Sequence, residues 1–175
     1  MIAPTIVTDR LVLTAASADR FDEQLAIFGD PRVVAFIGSG QPQSREEGWR
    51  RFAGGVGNWT LMGYGYWTVL DRASRRVVGT GGFGRFERGI PELDGYPEAG
   101  WAFAADTWGR GIASEFVAAA VGWADTQGYA ETRCIIAPAN VPSVRVAEKN
   151  GYVVLGEVTN ILGTSLLFRR KASSR

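Results

Sequence analysis

The chain has 175 residues, 46% hydrophobic and 21% charged, with 19 basic against 18 acidic side chains, no histidine and a single cysteine, Cys134. That length carries a sizeable core and reads as one domain over residues 1–175, with 170–175 a loose tail. The missing histidine excludes imidazole bases, Ser–His–Asp triads and HExxH zinc sites, and one cysteine excludes internal disulfides and Cys-cluster metal sites.

No metal is therefore expected, and chemistry falls to carboxylates, hydroxyls, phenols, amines and backbone dipoles. A net charge of +1 without a basic stripe gives nucleic acid and anionic membranes no electrostatic footing. No run approaches the ~20 apolar residues of a membrane span, and residues 1–10 lack the pattern of a signal peptide, so a cytoplasmic location is expected. Arg169-Arg170-Lys171 reads as a solvated basic terminus.

In chain order, residues 10–14 form a short β-like run. Ser17 then caps a helix on which Phe21, Leu25 and Phe28 recur at helical spacing, ending near Gly29-Asp30-Pro31. Ser44 and Glu47 make a capping box for a second helix with Trp49, Phe52 and Ala53 on its apolar face, ended by Gly54 and Gly55. Residues 65–70 and 76–83 form a hairpin, followed by a Gly- and Pro-rich loop over 84–97. A central strand over 98–105 leads to a helix over 111–126, with Ile112, Phe116, Ala120 and Trp123 on one stripe. A strand over 132–137, a short helix over 142–150 with Pro142 at its first turn, and strands over 152–158 and 162–169 complete the chain. The pattern predicts an α/β (α+β) domain with one mixed sheet and helices on both faces.

Gly79-Thr80-Gly81-Gly82-Phe83-Gly84 matches the dinucleotide fingerprint GxGxxG, but no helix follows to meet a pyrophosphate. It is read as strand glycines, and a nucleotide oxidoreductase is set aside. Trp108-Gly109-Arg110-Gly111-Ile112-Ala113 instead joins a strand end directly to a strong helix. Its glycines allow close backbone approach, and the helix N-terminus offers N–H groups to a phosphate; a purely structural turn is the alternative. Asn140 and Ser143 open the following helix, where either serves as an N-cap or as a polar contact.

Together these pieces resemble the GNAT superfamily of acyl-CoA-dependent N-acyltransferases, in the branch similar to the ribosomal-protein acetyltransferases RimJ and RimL. The resemblance rests on Thr8-Asp9-Arg10-Leu11-Val12-Leu13, Asp30-Pro31-Arg32-Val33-Val34, Glu98 to Phe103 followed by Trp108 to Glu115, and Asn140 to Tyr152. It implies a mostly antiparallel mixed sheet with splayed middle strands. It implies acetyl-CoA as co-substrate, its pyrophosphate on the amides of Gly109, Arg110, Gly111, Ile112 and Ala113. It also implies pantetheine pairing with Phe103 and Ala105, Asn140 holding pantetheine, and Ser143 near the thioester sulfur. Trp108 replaces a polar residue of the motif, so a side-chain polar contact there is expected to be lost. The tyrosine acid of the superfamily falls at Ala147, and no acid is transferred.

Attack on a thioester needs a neutral amine, although a lysine-like amine has a pKa near ~10.4. A carboxylate takes that proton, and Glu98 is the candidate base, with an exposed strand-end charge as its alternative. A strand amide such as that of Phe103 would meet the oxyanion, and Ser143 the departing thiolate. Cys134, mid-strand, is read as inert core. Glu87, Glu92 and Asp94 could attract a cationic amine but are diluted by Arg85 and Arg88 and read as solvated loop; Trp59, Tyr64, Tyr66 and Trp67 are read as core, with a pocket lining as the alternative. The expected activity is acetyl transfer to a primary amine, protein N-terminal or small-molecule, in a ternary complex. The alternative is a non-catalytic acyl-CoA-binding module. An amine acceptor and a second copy of the chain are the candidate partners.

Overall fold

Strict alternation of apolar side chains divides the core between two faces of one sheet. Leu11 and Leu13 pack in one hydrophobic cluster while Val12 between them packs in another. A strand that is apolar on every residue must be covered on both sides, and here it is. The computed structural model describes residues 2–160 and 163–173. Its sheet has eight strands in the order β1-β2-β3-β4-β5-β6-β8-β7: β1 Ile6–Val7, β2 Leu11–Thr14, β3 Tyr66–Asp71, β4 Val77–Gly84, β5 Glu98–Phe103, β6 Glu131–Ile136, β7 Val153–Asn160 and β8 Gly163–Lys171. Every pairing is antiparallel except β5 with β6.

One face carries α1 (Phe21–Phe28) and α2 (Pro31–Val34), whose Ile27, Phe28, Val33 and Val34 pack with Val12, Leu70, Val77 and Ala102. On the other, α4 (Ile112–Thr126) and α5 (Val141–Lys149) bury Phe116, Ala120 and Ala147 against Trp67, Val69 and Phe103. The longest helix, α3 (Arg45–Met62), brings Trp59 edge-on against Trp67 and Trp123. The mixed α/β expectation with helices on both faces holds.

Several boundaries differ. Gly54 and Gly55 do not end α3, which continues to Met62 and stops at Gly63, in the left-handed region at φ 76°. Burial of Phe52 and Trp59 holds the helix through its glycines, and Ala53 is exposed rather than on the packed face. Asp30 caps the short α2, accepting from the Arg32 N–H, a helix not foreseen. Residues 18–20 form a 3₁₀ turn before α1. Leu162, the expected start of the last strand, lies outside the described residues, as do Met1, Ser174 and Arg175.

The basic run at the end is not a solvated terminus. Arg169, Arg170 and Lys171 complete β8 against β6. Arg170 is 8% exposed and grips Asp125 of α4 through both terminal nitrogens at 2.7 Å. That bidentate pair holds the Asp125 carboxyl below its ordinary range.

Candidate functional site

Strands β5 and β6 run parallel and pair at one point, Glu98 with Arg133, where the Arg133 N–H donates to the Pro97 carbonyl at 3.1 Å. By contrast β5 pairs with β4 along its whole length, Gly84↔Glu98 to Gly79↔Phe103. Beyond Glu98 the middle of the sheet therefore opens. The Ala104 N–H donates to Val78 at 2.9 Å, which makes Val78 and Ala104 a hydrogen-bonded pair. Alternation then turns the main-chain groups of Phe103 and Trp101 away from β4 and toward the opening. Phe103 was expected there from the family resemblance; Trp101 was missed, though strand alternation brings it to the same edge.

Ala105 is not on the strand. The chain leaves β5 at Ala104 and residues Ala105–Thr107 form a 3₁₀ turn, so the Ala105 carbonyl accepts from the Trp108 N–H. Within the protein, the Trp108 indole N–H donates to the Phe103 carbonyl at 2.9 Å. That leaves the Phe103 N–H as the available half of that peptide pair.

The turn that follows enters α4 through Gly109 (φ 72°) and Gly111 (φ 75°), left-handed positions that cost other residues ~1–2 kcal/mol. The first α4 hydrogen bond runs from Glu115 N–H to the Gly111 carbonyl. Residues 108–111 form a hydrogen-bonded turn, and among the described residues no well-aligned hydrogen bond engages the N–H groups of residues 109–114. Consecutive donors without well-aligned partners at the positive end of a 15-residue helix are the kind of cradle an anion can occupy. The turn is anchored from beneath by Arg10, which donates to the Arg110 carbonyl at 2.7 Å and to Glu115 Oε2 at 2.6 Å. Glu115 Oε1 accepts from Thr8 Oγ1 at 2.6 Å and from the Arg10 N–H at 2.9 Å. Burial pushes the Glu115 carboxyl up, but these hydrogen bonds outweigh it and hold it below the ordinary range.

Across the opening, β6 leads into α5, capped by Asn140, whose Oδ1 accepts from the Ser143 N–H at 3.3 Å. The cap uses the amide oxygen and leaves the Asn140 Nδ2 donor without a partner among the described residues. Ser143 is half-buried on the first turn of α5, and Ala147 is fully buried one turn on. Asn150 links the two helices, donating to Ser114 Oγ at 3.3 Å.

Glu98 stands at the closed end of the opening, on the α1 face. It is 6% exposed, not a strand-end surface charge. Both its oxygens accept from Arg88 Nε at 3.0 Å, and the Arg88 guanidinium lies 4.7 Å from the Phe86 ring centroid. Burial pushes the Glu98 carboxyl above its ordinary range against the pull of Arg88. Beside it is a pocket of about 80 Å³, lined among others by Tyr64, Phe86, Arg88, Leu93 and Tyr96. Arg88 thus belongs to the site; nothing in its loop composition signalled that. Arg85 and Glu87 do pair with each other on the surface. Cys134 is buried, and burial pushes its thiol up, as fits inert core.

Gly79 to Gly84 lie within β4 in mid-sheet, between β3 and β5, with no helix following. A Cβ on Gly82, Gly84 or Gly100 would collide with Gly65 and Tyr66, with Phe86, or with the Tyr66 hydroxyl respectively. These glycines make room for neighbours. Among the described residues no group of three or more acidic or thiol side chains is arranged to hold a metal ion, and no helix is long and apolar enough to cross a membrane.

Residues 10–153 match the acetyltransferase (GNAT) domain family. A protein of Bordetella pertussis assigned to the GNAT-family acetyltransferases superposes with a TM-score of 0.85 at 32% identity, covering 96% of this chain and 99% of its own. AAC(6')-Ib, solved with paromomycin and acetyl-CoA, is similar in fold at a TM-score of 0.78 and 16% identity over 93% of this chain and 94% of its own. So is the ribosomal-protein-S5-alanine acetyltransferase of Vibrio fischeri, at 0.75 and 16% over 98% of both chains.

Proposed function

The chain belongs to the GNAT acetyltransferase family, and from that premise we propose that it transfers the acetyl group of acetyl-CoA to a primary amine by direct attack in a ternary complex. The observation that carries this is the row of N–H donors without well-aligned partners over residues 109–114, opening α4 at the mouth of the β5–β6 gap. A pyrophosphate needs such a cradle, and a pantetheine arm needs a strand edge with free amides beside it.

In this reading Gly109, Arg110, Gly111, Ile112 and Ala113 bind the pyrophosphate, with Trp108 packed beside it. The Phe103 N–H and Asn140 Nδ2 hold the pantetheine arm. Ala105, off the strand, contributes through the turn rather than through strand pairing. Acetyl-CoA supplies an activated acyl group, and the protein supplies alignment and proton handling. Glu98 takes the proton from the incoming ammonium, directly or through water, and its buried position favours accepting one. For a cationic acceptor to reach Glu98, Arg88 must give up its hold. The C–N bond forms as the amine attacks, the nitrogen then loses its second proton to solvent by way of Glu98, the C–S bond breaks on collapse, and Ser143 meets the departing thiolate. That thiolate, of a thiol with pKa near ~8.5, leaves without a strong acid.

The acceptor is a protein N-terminus, as the RimJ/RimL resemblance and the Vibrio fischeri neighbour suggest, or a small amine, as the paromomycin bound by AAC(6')-Ib suggests. A cytoplasmic location goes with either. A non-catalytic acyl-CoA-binding module is the second reading, and the observation on its side is the Arg88–Glu98 pair that occupies the candidate base. Thiol release from acetyl-CoA across a panel of N-terminal peptides and small polyamines separates them. Turnover with any amine supports the enzyme; CoA binding with no turnover throughout refutes it in favour of the module.

A further inference from the structure

Tyr66 was read as core with pocket lining as the alternative; it is half-buried and lines a pocket. It opens β3 opposite Gly82, which itself lies opposite Gly100 of β5. All three residues project to the α1 face, as does Glu98. Because two positions in that row are glycine, the Tyr66 ring lies across β4 and delivers its hydroxyl onto β5, into the space a Gly100 side chain would fill. Phe86 meets the ring edge-on at 6.0 Å between centroids, which fixes its tilt. The hydroxyl has no hydrogen-bond partner among the described residues, yet it is not among buried polar atoms sealed from solvent. By contrast the phenol of Tyr152, also buried, is satisfied by Thr132 Oγ1 at 2.8 Å.

An oriented donor without a partner, set between the candidate base and the first strand residue whose amide faces the gap, is a group waiting for a ligand atom. Resting on the acetyl-transfer reading above, we propose that Tyr66 is a catalytic residue whose O–H donates a hydrogen bond to the acyl oxygen of the thioester as it becomes an oxyanion. When the amine nitrogen bonds to the carbonyl carbon, the C=O electron pair moves to oxygen and Tyr66 stabilises that charge. On collapse the pair returns, the C–S bond breaks and its electrons leave with sulfur. Glu98 takes the ammonium proton before attack and passes it to solvent, the second nitrogen proton follows the same route after attack, and the phenolic proton stays on Tyr66. Burial, with the Glu98 carboxylate beside it, pushes this phenol up and so keeps its proton in place. Such a phenol is a poor proton donor to a readily departing thiolate but a good hydrogen-bond donor to an oxyanion.

The test compares wild type with Tyr66→Phe, which removes only an oxygen without protein partners and leaves the ring packing and melting temperature unchanged. Binding of CoA, of S-acetonyl-CoA (a trigonal ketone) and of S-trifluoroacetonyl-CoA (largely its tetrahedral hydrate) is measured by calorimetry, and kcat and KM with the best amine found. The expected result is unchanged CoA and ketone affinity, loss of ~10²-fold of the wild-type preference for the hydrate, and kcat lower by ~10²–10³ at unchanged KM for acetyl-CoA, the scale of one oxyanion donor. A Tyr66→Phe protein that keeps the hydrate preference within about twofold, or a wild type with no such preference, overturns the role of Tyr66 alone. Failure of the wild type to bind CoA overturns the acetyl-transfer reading first, and this role with it.

Discussion

Replacing Gly111 by Glu tests the anion cradle, and the structure supplies the magnitudes. Gly111 sits at φ 75° as the N-cap of α4, and a Cβ there meets nothing closer than Arg10 Nη2 at 3.6 Å. The substitution therefore causes no clash, and its folding cost is the left-handed backbone, ~1–2 kcal/mol. Against a typical domain stability of ~5–15 kcal/mol the protein stays folded, with its melting temperature lowered by roughly 2–8 °C. Binding is another matter. A carboxylate some ~5 Å from a bound pyrophosphate repels it by ~1–3 kcal/mol for effective dielectric constants of ~80 to ~20. It also competes for the amides, each hydrogen bond to a charged group being worth ~1.5–3 kcal/mol. Together these predict a CoA dissociation constant raised by about 10²–10⁴-fold. Gly111→Ala carries the same backbone strain without the charge and is the control. Calorimetry with CoA on both variants decides it, with circular dichroism melts to confirm folding. A Gly111→Glu protein that binds CoA as tightly as Gly111→Ala refutes the cradle at residues 109–114.

Glu98→Gln should leave CoA affinity unchanged and lower kcat by ~10²–10⁴, a loss that shrinks as pH rises and the amine deprotonates unaided. Since burial holds the Glu98 carboxyl above its ordinary range, wild-type activity should rise with pH as it ionises. Arg88→Gln, removing the opposing charge, should move that limb to still higher pH; a limb that stays put or moves down removes Glu98 as the titrating base. Ser143→Ala should cost less than tenfold in kcat, because the thiolate departs readily, and a loss matching that of Glu98→Gln would show that leaving-group departure limits the rate. Arg170→Met should destabilise the fold by roughly 3 kcal/mol at neutral pH by stranding Asp125, seen as a melting temperature lower by about 6–12 °C. The Asp125 carboxyl is held below its ordinary range, so this contribution is complete above the unfolded value of ~3.9 and disappears as pH falls through the folded one. A variant gap that does not narrow in acid would rule out the pair as its source.

Local chemistry was legible wherever a residue's role depends on its immediate neighbours along the chain. The Ser44–Glu47 capping box forms as read, with the Ser44 N–H donating to Glu47 Oε2 at 2.8 Å and the Glu47 N–H returning to Ser44 Oγ. The glycine turn into α4 forms because left-handed positions and a helix start are properties of a few consecutive residues. The family resemblance pointed to Phe103 at the gap edge, and the absence of a helix after Gly84 disposed of the dinucleotide fingerprint.

What the sequence left open depends on partners far along the chain, whose positions packing decides. Gly54 and Gly55 are helix-weakening by propensity, yet burial of Phe52 and Trp59 holds α3 through them. Arg170 resembles a solvated tail until β8 carries it to Asp125, a residue 45 positions away that no local pattern could connect to it. Tyr66 and Gly100 are ordinary strand residues in isolation; their meeting exists because β3, β4 and β5 align one aromatic ring with two missing side chains. Glu98 was named from its strand, but whether its charge was exposed, buried or paired waited on the loop that returns Arg88 to it. The sequence by itself determined where glycines and a helix start make an anion-suited turn; tertiary packing decided which side chains face the same opening, because a strand edge or a carboxylate acquires its environment only when distant segments close around it.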